Sequence, residues 1–360
     1  MKVCYLSDAN SIHTKKMCEF FSERGYEIHV ISLNYGEINN ATVHSFDMDM
    51  KLIKNKTGIK KLKYISFIKE IRKIISKINP DIIHAHYASS YGFLGALSGK
   101  HPFVLSVWGS DVFDFPKKNF LNKILLKYNL SKADKILSTS SVMAKETALY
   151  TNKKVYVTPF GVDINFFKQD TSKRDEVKKE IVIGTIKSLE AHYGIEYLIR
   201  AFSEMTFTNQ NLRLEIGGVG SQKEFLVSLS KELNIEDKVK FLGFLNRNDV
   251  VKKFNDFDIA VFPSTLESFG VAAVEAQACG IPVIVSNVGG LPEATSPNIS
   301  SLLVEKGNIQ ELKEALEKLV NDSELRKTMG EAGRKFVEEN YNIQDNFNSI
   351  DKIYKELINY

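Results

Sequence analysis

Residues 259–286 read IAVFPSTLESFGVAAVEAQACGIPVIVS and decide the fold of the second half of this chain. The run IAVFPS is typical of a buried strand, whereas VAAVEAQACG reads as a helix that ends at Gly280. Pro282 opens a second apolar run, so the order of strand, helix and strand predicts a parallel βαβ unit. Glu267 then falls in the loop after the first strand, and Glu275 lies about one and a half turns into the helix.

The same alternation extends along the rest of the chain. In the first half the predicted strands are KVCYLSD, EIHVISL, DIIHAHY, FVLSVWG, KILSTSS and VYVTPFG; in the second they are IVIGTI, LRLEIGG, VKFLGF, IAVFPS, PVIVS and SLLVEK. Strands that alternate with helices are typical of parallel sheets covered by crossover helices. The sequence therefore predicts an α/β protein with two Rossmann-like doubly wound domains that face each other across a cleft, with ligands at the carboxyl ends of the strands.

Length and composition agree with this class. A chain of 360 residues is long for one core and suggests two domains. We place the first at 1–163 and the second at 164–342, with the polar segment 164–180 as the linker. Residues 1–165 contain 24 Lys and Arg against 14 Asp and Glu, whereas residues 166–360 contain 24 against 30. The basic and acidic halves therefore suit different partners.

The cysteines and the apolar runs bear on the compartment. Cys4, Cys18 and Cys279 are far apart and form no CxxC pair, which argues against a disulfide framework or a zinc site. The start MKVCYLSDAN runs directly into strand-like sequence, so we expect no secretory leader. No apolar run approaches the roughly 20 residues that cross a bilayer. We therefore expect a cytoplasmic protein.

The loop between the two glutamates has the chemistry of an anion site. The amides of Ser268, Phe269, Gly270 and Val271 form a helix N-terminus with free donors, which suits a phosphate. Glu267 can accept hydrogen bonds from hydroxyls of a group joined to that phosphate, and a second carboxylate in the helix can accept two from a ribose diol. Taken alone, the spacing fits equally well a capped helix that carries one exposed glutamate.

Four motifs make the chain resemble the retaining glycosyltransferases of GT-B fold, family 4. They are VTPFGVDINFF, the E-x7-E pair in LESFGVAAVE, the following ACGIPVIVSNVGGLPE, and the strands LEIGGVGS and VKFLGF. The resemblance covers nearly the full length. It implies transfer of a sugar from a nucleotide diphosphate donor, held by the second domain, to an acceptor held by the first. It also implies that a C-terminal helix at 343–360 packs back toward the first domain.

The resemblance assigns donor-site roles. Glu275 is expected to bind the ribose and Glu267 the donor sugar, while Gly218 and the amides near Phe269 and Gly270 lie at the donor. The family has an Arg and a Lys, six residues apart, in the loop GTIKSLEAHYGIEYLI. Here Lys187 takes the first position and Tyr193 the second, so one cation remains and a hydroxyl is expected in the other role.

In the first domain the resemblance points to an acceptor site that departs from the family pattern. Its loop DANSIHTKK lacks the paired glycines but contains Asn10 and His13, which we expect near the acceptor. His86 lies nearer the carboxyl end of its strand than His84 and is expected at the cleft, with His84 in packing. Trp108 replaces the family histidine, and Asp111 is expected to bind a sugar hydroxyl.

The expected chemistry follows from these groups. The resemblance implies an enzyme that usually needs no metal, so we expect neither a metal nor a cofactor. Cations of the protein must then stabilise the leaving diphosphate. Trp108 can stack on a sugar but cannot exchange a proton. On the family's mechanism the departing phosphate accepts the proton of the acceptor on the same face.

The donor and acceptor are expected from the resemblance and from charge. We expect a UDP-sugar that carries a hexose or N-acetylhexosamine and a lipid-linked or polysaccharide-precursor acceptor. Residues 51–80 hold ten Lys or Arg and a single acid, Glu70, beside an isoleucine stripe that fits the core. These cations favour an anionic membrane surface at the inner face of the cell membrane. Nucleic acid is not expected, because no binding motif accompanies the charges.

Other functions stay open at this point. A nucleotide-sugar 2-epimerase has a similar two-domain architecture, and the E-x7-E loop argues against it. A nicotinamide dehydrogenase is disfavoured because the run from Gly218 to Gly220 lacks the third glycine of the fingerprint. A sugar-nucleotide-binding subunit with impaired catalysis is suggested by Trp108 and Tyr193, and donor hydrolysis or transfer would separate it from an enzyme.

Overall fold

The computed structural model describes residues 1–46, 65–170, 180–206 and 211–358. Two compact units are present, one formed by 1–160 with 344–360 and the other by 161–343. Within the described residues, the first has a seven-stranded sheet and the second a six-stranded sheet, and every strand pair is parallel. The two Rossmann-like domains of the prediction are confirmed.

The first sheet has the order β3-β2-β1-β4-β5-β6-β7. Its strands are β1 Lys2–Leu6, β2 Glu27–Ser32, β3 Thr42–Ser45, β4 Ile82–His86, β5 Phe103–Val107, β6 Lys135–Ser138 and β7 Val155–Val157. Its helices are α1 Ile12–Glu23, α2 Ile68–Ile78, α3 Ser90–Ser98, α4 Ser110–Phe113, α5 Phe120–Lys132 and α6 Ser141–Ala148. A 3-10 turn, Phe115–Lys117, joins α4 to α5.

The second sheet has the order β10-β9-β8-β11-β12-β13. Its strands are β8 Ile181–Ile186, β9 Leu212–Gly217, β10 Val239–Gly243, β11 Ile259–Phe262, β12 Val283–Ser286 and β13 Ser301–Val304. Its helices are α7 Ile195–Thr206, α8 Lys223–Glu232, α9 Arg247–Asp256, α10 Val271–Ala278, α11 Leu291–Ala294, α12 Ile309–Asn321 and α13 Ser323–Asn340, and a 3-10 turn spans Ala191–Tyr193. In both sheets the strand order reverses beside the first strand, which is where ligands of such folds bind.

The last helix, α14 Ile343–Ile358, packs within the first unit. Phe347 meets Phe20 of α1 edge to face at 5.1 Å between ring centroids. The carboxylate of Asp351 pairs with Lys355 at 2.8 Å on α14 itself and accepts a hydrogen bond from the Tyr26 hydroxyl. The contacts of Phe347 and Asp351 attach the C-terminal helix to α1 and to the loop between α1 and β2.

Two segments singled out in the sequence lie partly outside the described residues. The lysine-rich 51–64 and the linker portion 171–179 are outside them. The described end of the basic segment is α2, and its Ile71, Ile75 and Ile78 are buried in the core of the first unit, as a crossover helix requires. The first part of the linker belongs to the second unit, because Phe167 is buried in its core.

Candidate active site

An ion pair lies at the point where the strand order of the second sheet reverses. Lys187 directly follows β8 and Glu267 lies in the loop after β11, and these strands are neighbours in the sheet. Lys187 Nζ is 2.7 Å from Glu267 Oε2, and both side chains are largely buried. Oε2 nonetheless receives no well-directed hydrogen bond from the described residues. The carboxylate therefore retains the capacity to accept a ligand hydroxyl.

Two glycines hold the loops that carry this pair. A Cβ at Gly218, where φ is +134°, would lie 1.8 Å from the carbonyl oxygen of Lys187. A Cβ at Gly289, where φ is +55°, would lie 1.7 Å from the carbonyl oxygen of Glu267. Gly290 N–H also donates to that oxygen at 3.2 Å. The glycines of GGVG and VGGLPE thus let neighbouring loops pack against the backbone of Lys187 and Glu267.

Tyr193 contacts Lys187 through its ring. The Lys187 ammonium lies 4.5 Å from the ring centroid, within the range of a cation–π contact. The sequence predicted that the hydroxyl of Tyr193 stands in for a second cation, whereas in the structure the ring holds the cation that is present. Burial raises the pKa of Tyr193, so its phenol is protonated near neutral pH. The residue thereby helps to fix the position of Lys187.

The N-terminus of α10 presents free amides beside the pair. Gly270 is its N-cap, and the N–H groups of Phe269, Gly270 and Val271 have no acceptor in the part of the chain that the structure describes. The Phe269 side chain is buried against Tyr341, so only its amide can serve a ligand. Ser268 and Val271 are half-buried, and Glu275 is half-buried farther along the helix.

Sequence reasoning missed three buried hydroxyls at the same edge of the sheet. Thr185 is the next-to-last residue of β8, Ser264 follows β11, and Ser286 is the last residue of β12. Each of these hydroxyls lacks a hydrogen-bond partner within the described residues. Buried polar atoms without partners are uncommon in folded proteins. Because they lie at the carboxyl ends of three adjacent strands, they make this edge of the second sheet polar. A Ser or Thr at the end of a buried strand is the sequence feature that would have predicted these hydroxyls.

The first unit gathers an aromatic cluster at its own reversal point, between β1 and β4. His13, on the first turn of α1, stacks on Phe160 with 3.7 Å between ring centroids. Trp108 meets the edge of His13 at 5.9 Å and lies 4.6 Å from the ring of His86. Asn10 is exposed and its amide donates to the Tyr35 carbonyl at 2.8 Å. His13, Trp108 and His86 are thus together, and Phe160, which the sequence had not placed at this site, completes the cluster.

Two acceptor-site expectations are wrong in detail. Asp111 is fully buried and accepts backbone N–H bonds from Ala88, Trp108 and Gly109, so its carboxylate joins two loops and faces no sugar. Burial raises its pKa, and these donors oppose the rise. His86 is also fully buried, with Nδ1 2.9 Å from the Ser7 hydroxyl, so it supports Trp108 from beneath.

His84 lies in the packing that was expected for it. Its Nε2 is 2.7 Å from the Ser106 hydroxyl, and its Nδ1 meets the hydroxyl of Tyr354 on α14. Burial lowers its pKa to about 3. The pKa of His13 also falls to about 3, through burial and then the charge of Lys16, and burial lowers that of His86 well below the ordinary value.

Because the pKa values of these three histidines are lowered, we expect acid to destabilise the first unit. A histidine in the unfolded chain has a pKa near 6.5 and is protonated below that pH. In the folded state His84 stays neutral down to about pH 3, so acid favours the unfolded state over this range. Between pH 7 and 5.5 each such group should remove about 1.3 kcal/mol of the unfolding free energy. Trp108 is the only tryptophan, so its fluorescence during urea unfolding reports this unit. His84→Gln should lose less stability over this interval than the parent; an unchanged difference would contradict the assignment.

The fold matches solved structures, and both halves of the chain match glycosyltransferase family models. The structure of Anabaena HepE, solved in complex with UDP, aligns with a TM-score of 0.83 and 19% identity over 99% of this chain and 100% of that chain. These units define the GT-B fold. The family models described as glycosyl transferases group 1 and glycosyl transferase 4-like match residues 166–336 and 2–140. The chain therefore belongs to the glycosyl transferases group 1, GT-B family 4, and is a glycosyltransferase.

Two named enzymes match nearly the whole chain in sequence. N-acetyl-alpha-D-glucosaminyl L-malate synthase of Bacillus anthracis is 25% identical over 99% of this chain and 96% of its own length. The capsular polysaccharide biosynthesis glycosyltransferase CapM of Staphylococcus aureus is 26% identical over 94% of this chain and 92% of its own. The described residues contain no helix long and apolar enough to cross a bilayer.

Proposed function

We propose that this glycosyltransferase moves a hexose or N-acetylhexosamine from a UDP-sugar, with retention of configuration, to a lipid-linked or polysaccharide-precursor acceptor in cell-envelope glycan synthesis. The observation that carries the proposal is the buried pair of Lys187 and Glu267 beside the free amides of α10. The capsular role named for one relative and the UDP named for one structural neighbour support the acceptor class and the base.

The second unit offers a group for each part of the donor. Lys187 and the amides of Phe269 to Val271 supply positive charge for the diphosphate. Glu267 accepts hydroxyls of the sugar through its buried carboxylate, and Glu275 accepts the ribose diol. Positive charge from the chain itself is the reason that we propose a reaction without a metal ion or cofactor. Activity that survives EDTA would support this, and loss restored by Mg²⁺ would refute it.

The first unit offers positioning without a strong base. Trp108 can stack on an acceptor ring, and the ring of His13 on α1 lies beside it, with Asn10 in the loop that leads into α1. The depressed pKa of His13 keeps it neutral at pH 7. We therefore propose that the sugar C1–O bond to the diphosphate breaks as the acceptor oxygen bonds to C1 on the same face. The proton of the acceptor passes to the departing phosphate oxygen, and the protein supplies orientation and charge.

The direct test is a donor screen with the full chain. UDP and UDP-sugars are titrated calorimetrically, with GDP as the comparison base. Transfer to lipid extracts is followed by mass spectrometry, and the anomeric configuration of the product is read by NMR. UDP-sugar turnover with a retained anomer is expected. Epimerised UDP-sugar without an acceptor would instead favour a 2-epimerase, and binding without turnover an impaired subunit.

Glu275→Ala is predicted to weaken UDP binding. The lost carboxylate leaves two ribose hydroxyls without their acceptor, at about 1–3 kcal/mol. Calorimetric titration of UDP measures the change, and the exposed Glu232→Ala on α8 is the matched control. UDP affinity equal to that of the control would remove Glu275 from the donor site.

We also propose a cytoplasmic enzyme that associates peripherally with the inner face of the membrane. The predicted basis was the lysine-rich segment 51–64, which stays a prediction because it lies outside the described residues. Replacing Lys54, Lys56, Lys60 and Lys63 by glutamate tests that segment separately from the surface described next.

A further inference from the structure

Helix α5 carries a row of large apolar side chains on its outer face. Phe120 and Leu121 are each 74% exposed, Ile124 is 47% exposed and Tyr128 is 37% exposed. The opposite side is held in the first unit by the buried Leu126, Asn129 and Leu130. We call this row and its flanking lysines the α5 face.

The geometry of the α5 face is the reverse of an ordinary surface helix. At 100° per residue the four apolar residues fall in an arc of about 100°, centred opposite the buried side. A surface helix of a globular protein normally turns its apolar arc to the core and its polar arc to water. A contiguous apolar row that points outward marks an interaction site.

Lysines border the apolar row. Between residues 115 and 133 the chain contains no Asp or Glu and five lysines, which are Lys117, Lys118, Lys123, Lys127 and Lys132. On the helical repeat, Lys123 and Lys127 lie along one border of the row and Lys132 along the other. Lys132 also lies 5.5 Å from the ring centroid of Tyr128, and Lys117 pairs with Glu146 at 2.9 Å.

This charge pattern selects the occupant. Aromatic and aliphatic side chains bordered by lysines suit the interface of an anionic bilayer, where the apolar residues enter the acyl boundary and the ammonium groups meet headgroups. A second copy of the chain would place one lysine border against another, which like-charge repulsion opposes. The apolar and charged parts both favour lipid.

We propose that the α5 face docks the first unit on an anionic bilayer surface. The proposal rests on the proposed function, because it explains how a lipid-linked acceptor is reached. The Asn129 amide donates to the Ala88 carbonyl at 2.8 Å, and Ala88 N–H donates to the Asp111 carboxylate at 2.6 Å. Asp111 also holds the backbone of Trp108. These contacts lie on the side of α5 that faces the first unit, so docking through the α5 face holds the acceptor loops one helix diameter, roughly 10 Å, from the lipid headgroups.

Vesicle co-sedimentation of the full chain tests the docking. The vesicles contain equal parts phosphatidylglycerol and phosphatidylcholine, or phosphatidylcholine alone. The parent should sediment with the anionic vesicles, and the triple variant Phe120→Ser, Leu121→Ser, Ile124→Ser should bind at least tenfold more weakly. Lys123→Glu with Lys127→Glu should also bind at least tenfold more weakly, with less dependence on salt. Phe225→Ser with Ile299→Ser, at exposed apolar positions of the second unit, is the matched control and should bind like the parent.

Calorimetric titration of UDP into the same variants separates this inference from the proposed function. Normal UDP binding with lost vesicle binding supports docking through α5. A parent that fails to bind anionic vesicles, or a triple variant that binds like the control, overturns the α5 proposal alone. Absent UDP binding and turnover in the parent would defeat the proposed function whatever the vesicles show. Light scattering that finds a dimeric parent and a monomeric triple variant would make a second copy the occupant and would also overturn the proposal.

Discussion

Lys187→Ala is expected to lower the turnover number by about 10²–10³-fold, the effect of removing one preorganised group that stabilises developing charge. The diphosphate gains negative charge as its bond to the sugar breaks, so the ammonium matters most in the transition state. UMP lacks the second phosphate, and its affinity should therefore change much less than turnover. Steady-state kinetics with a UDP-sugar and calorimetry with UMP measure the two effects.

A variant of Glu267, the ion-pair partner of Lys187, provides a second test. Glu267→Gln removes the negative charge at 2.7 Å from the ammonium but keeps the shape of the side chain. Turnover should fall again, because the proposed contact of Glu267 is the sugar, whereas UDP affinity should stay near that of the parent. In the double variant the losses should not add, since the two side chains act as one unit.

The control for both variants is Lys240→Ala, an exposed lysine on β10 of the same unit. It should preserve turnover and UMP affinity. A Lys187→Ala enzyme as active as this control would mean that another cation stabilises the diphosphate. Equal losses of UDP affinity in Glu267→Ala and Glu275→Ala would refute their separate roles.

The strands that position these residues were predictable because each is a short apolar run followed by a polar loop. All six strands predicted in the second half are present, and in the first half only β3, Thr42–Ser45, was missed among the described residues. Thr42, His44 and Ser45 give it little apolar character, and it pairs only with β2 at the edge of the sheet. Pairing with an existing strand, which the local sequence does not encode, makes it a strand.

Contacts between distant residues could not be read from the sequence. The motifs placed Lys187 and Glu267 after neighbouring strands, but their ion pair depends on the loop packing at Gly218 and Gly289. Asp111 was expected to bind a sugar hydroxyl, but its carboxylate turns inward because three backbone N–H groups donate to it there. A one-dimensional pattern gives the loop that carries a residue, but not the direction of its side chain.

The apolar row of α5 is a second case in which the sequence does not give the direction of the side chains. Its sequence, FLNKILLKYNLSK, has apolar residues on several sides of a helix, so periodicity alone does not say which arc is buried. In the structure Leu126, Asn129 and Leu130 form the buried arc, and the Asn129 amide donates to the Ala88 carbonyl. The remaining apolar residues then face outward.

Gly289→Ala is expected to destabilise the second unit by more than about 3 kcal/mol. A side chain at its φ of +55° costs about 1–2 kcal/mol. The new Cβ would also lie 1.7 Å from the Glu267 carbonyl oxygen, so the backbone of one loop must move. Because that oxygen belongs to the residue proposed to bind the donor sugar, affinity for a UDP-sugar should fall at least tenfold.

Gly243→Ala is the matched control in the same unit. Its φ of +72° imposes a similar backbone cost, but a Cβ there would meet nothing within 4 Å. Urea unfolding followed by circular dichroism should show a loss of about 1–2 kcal/mol for Gly243→Ala and a much larger loss for Gly289→Ala. Equal stabilities and equal affinities for the UDP-sugar would mean that the loops do not lock together at Gly289. A larger loss of both stability and UDP-sugar affinity in Gly289→Ala would show that the glycines of VGGLPE position the backbone of the loop that carries Glu267.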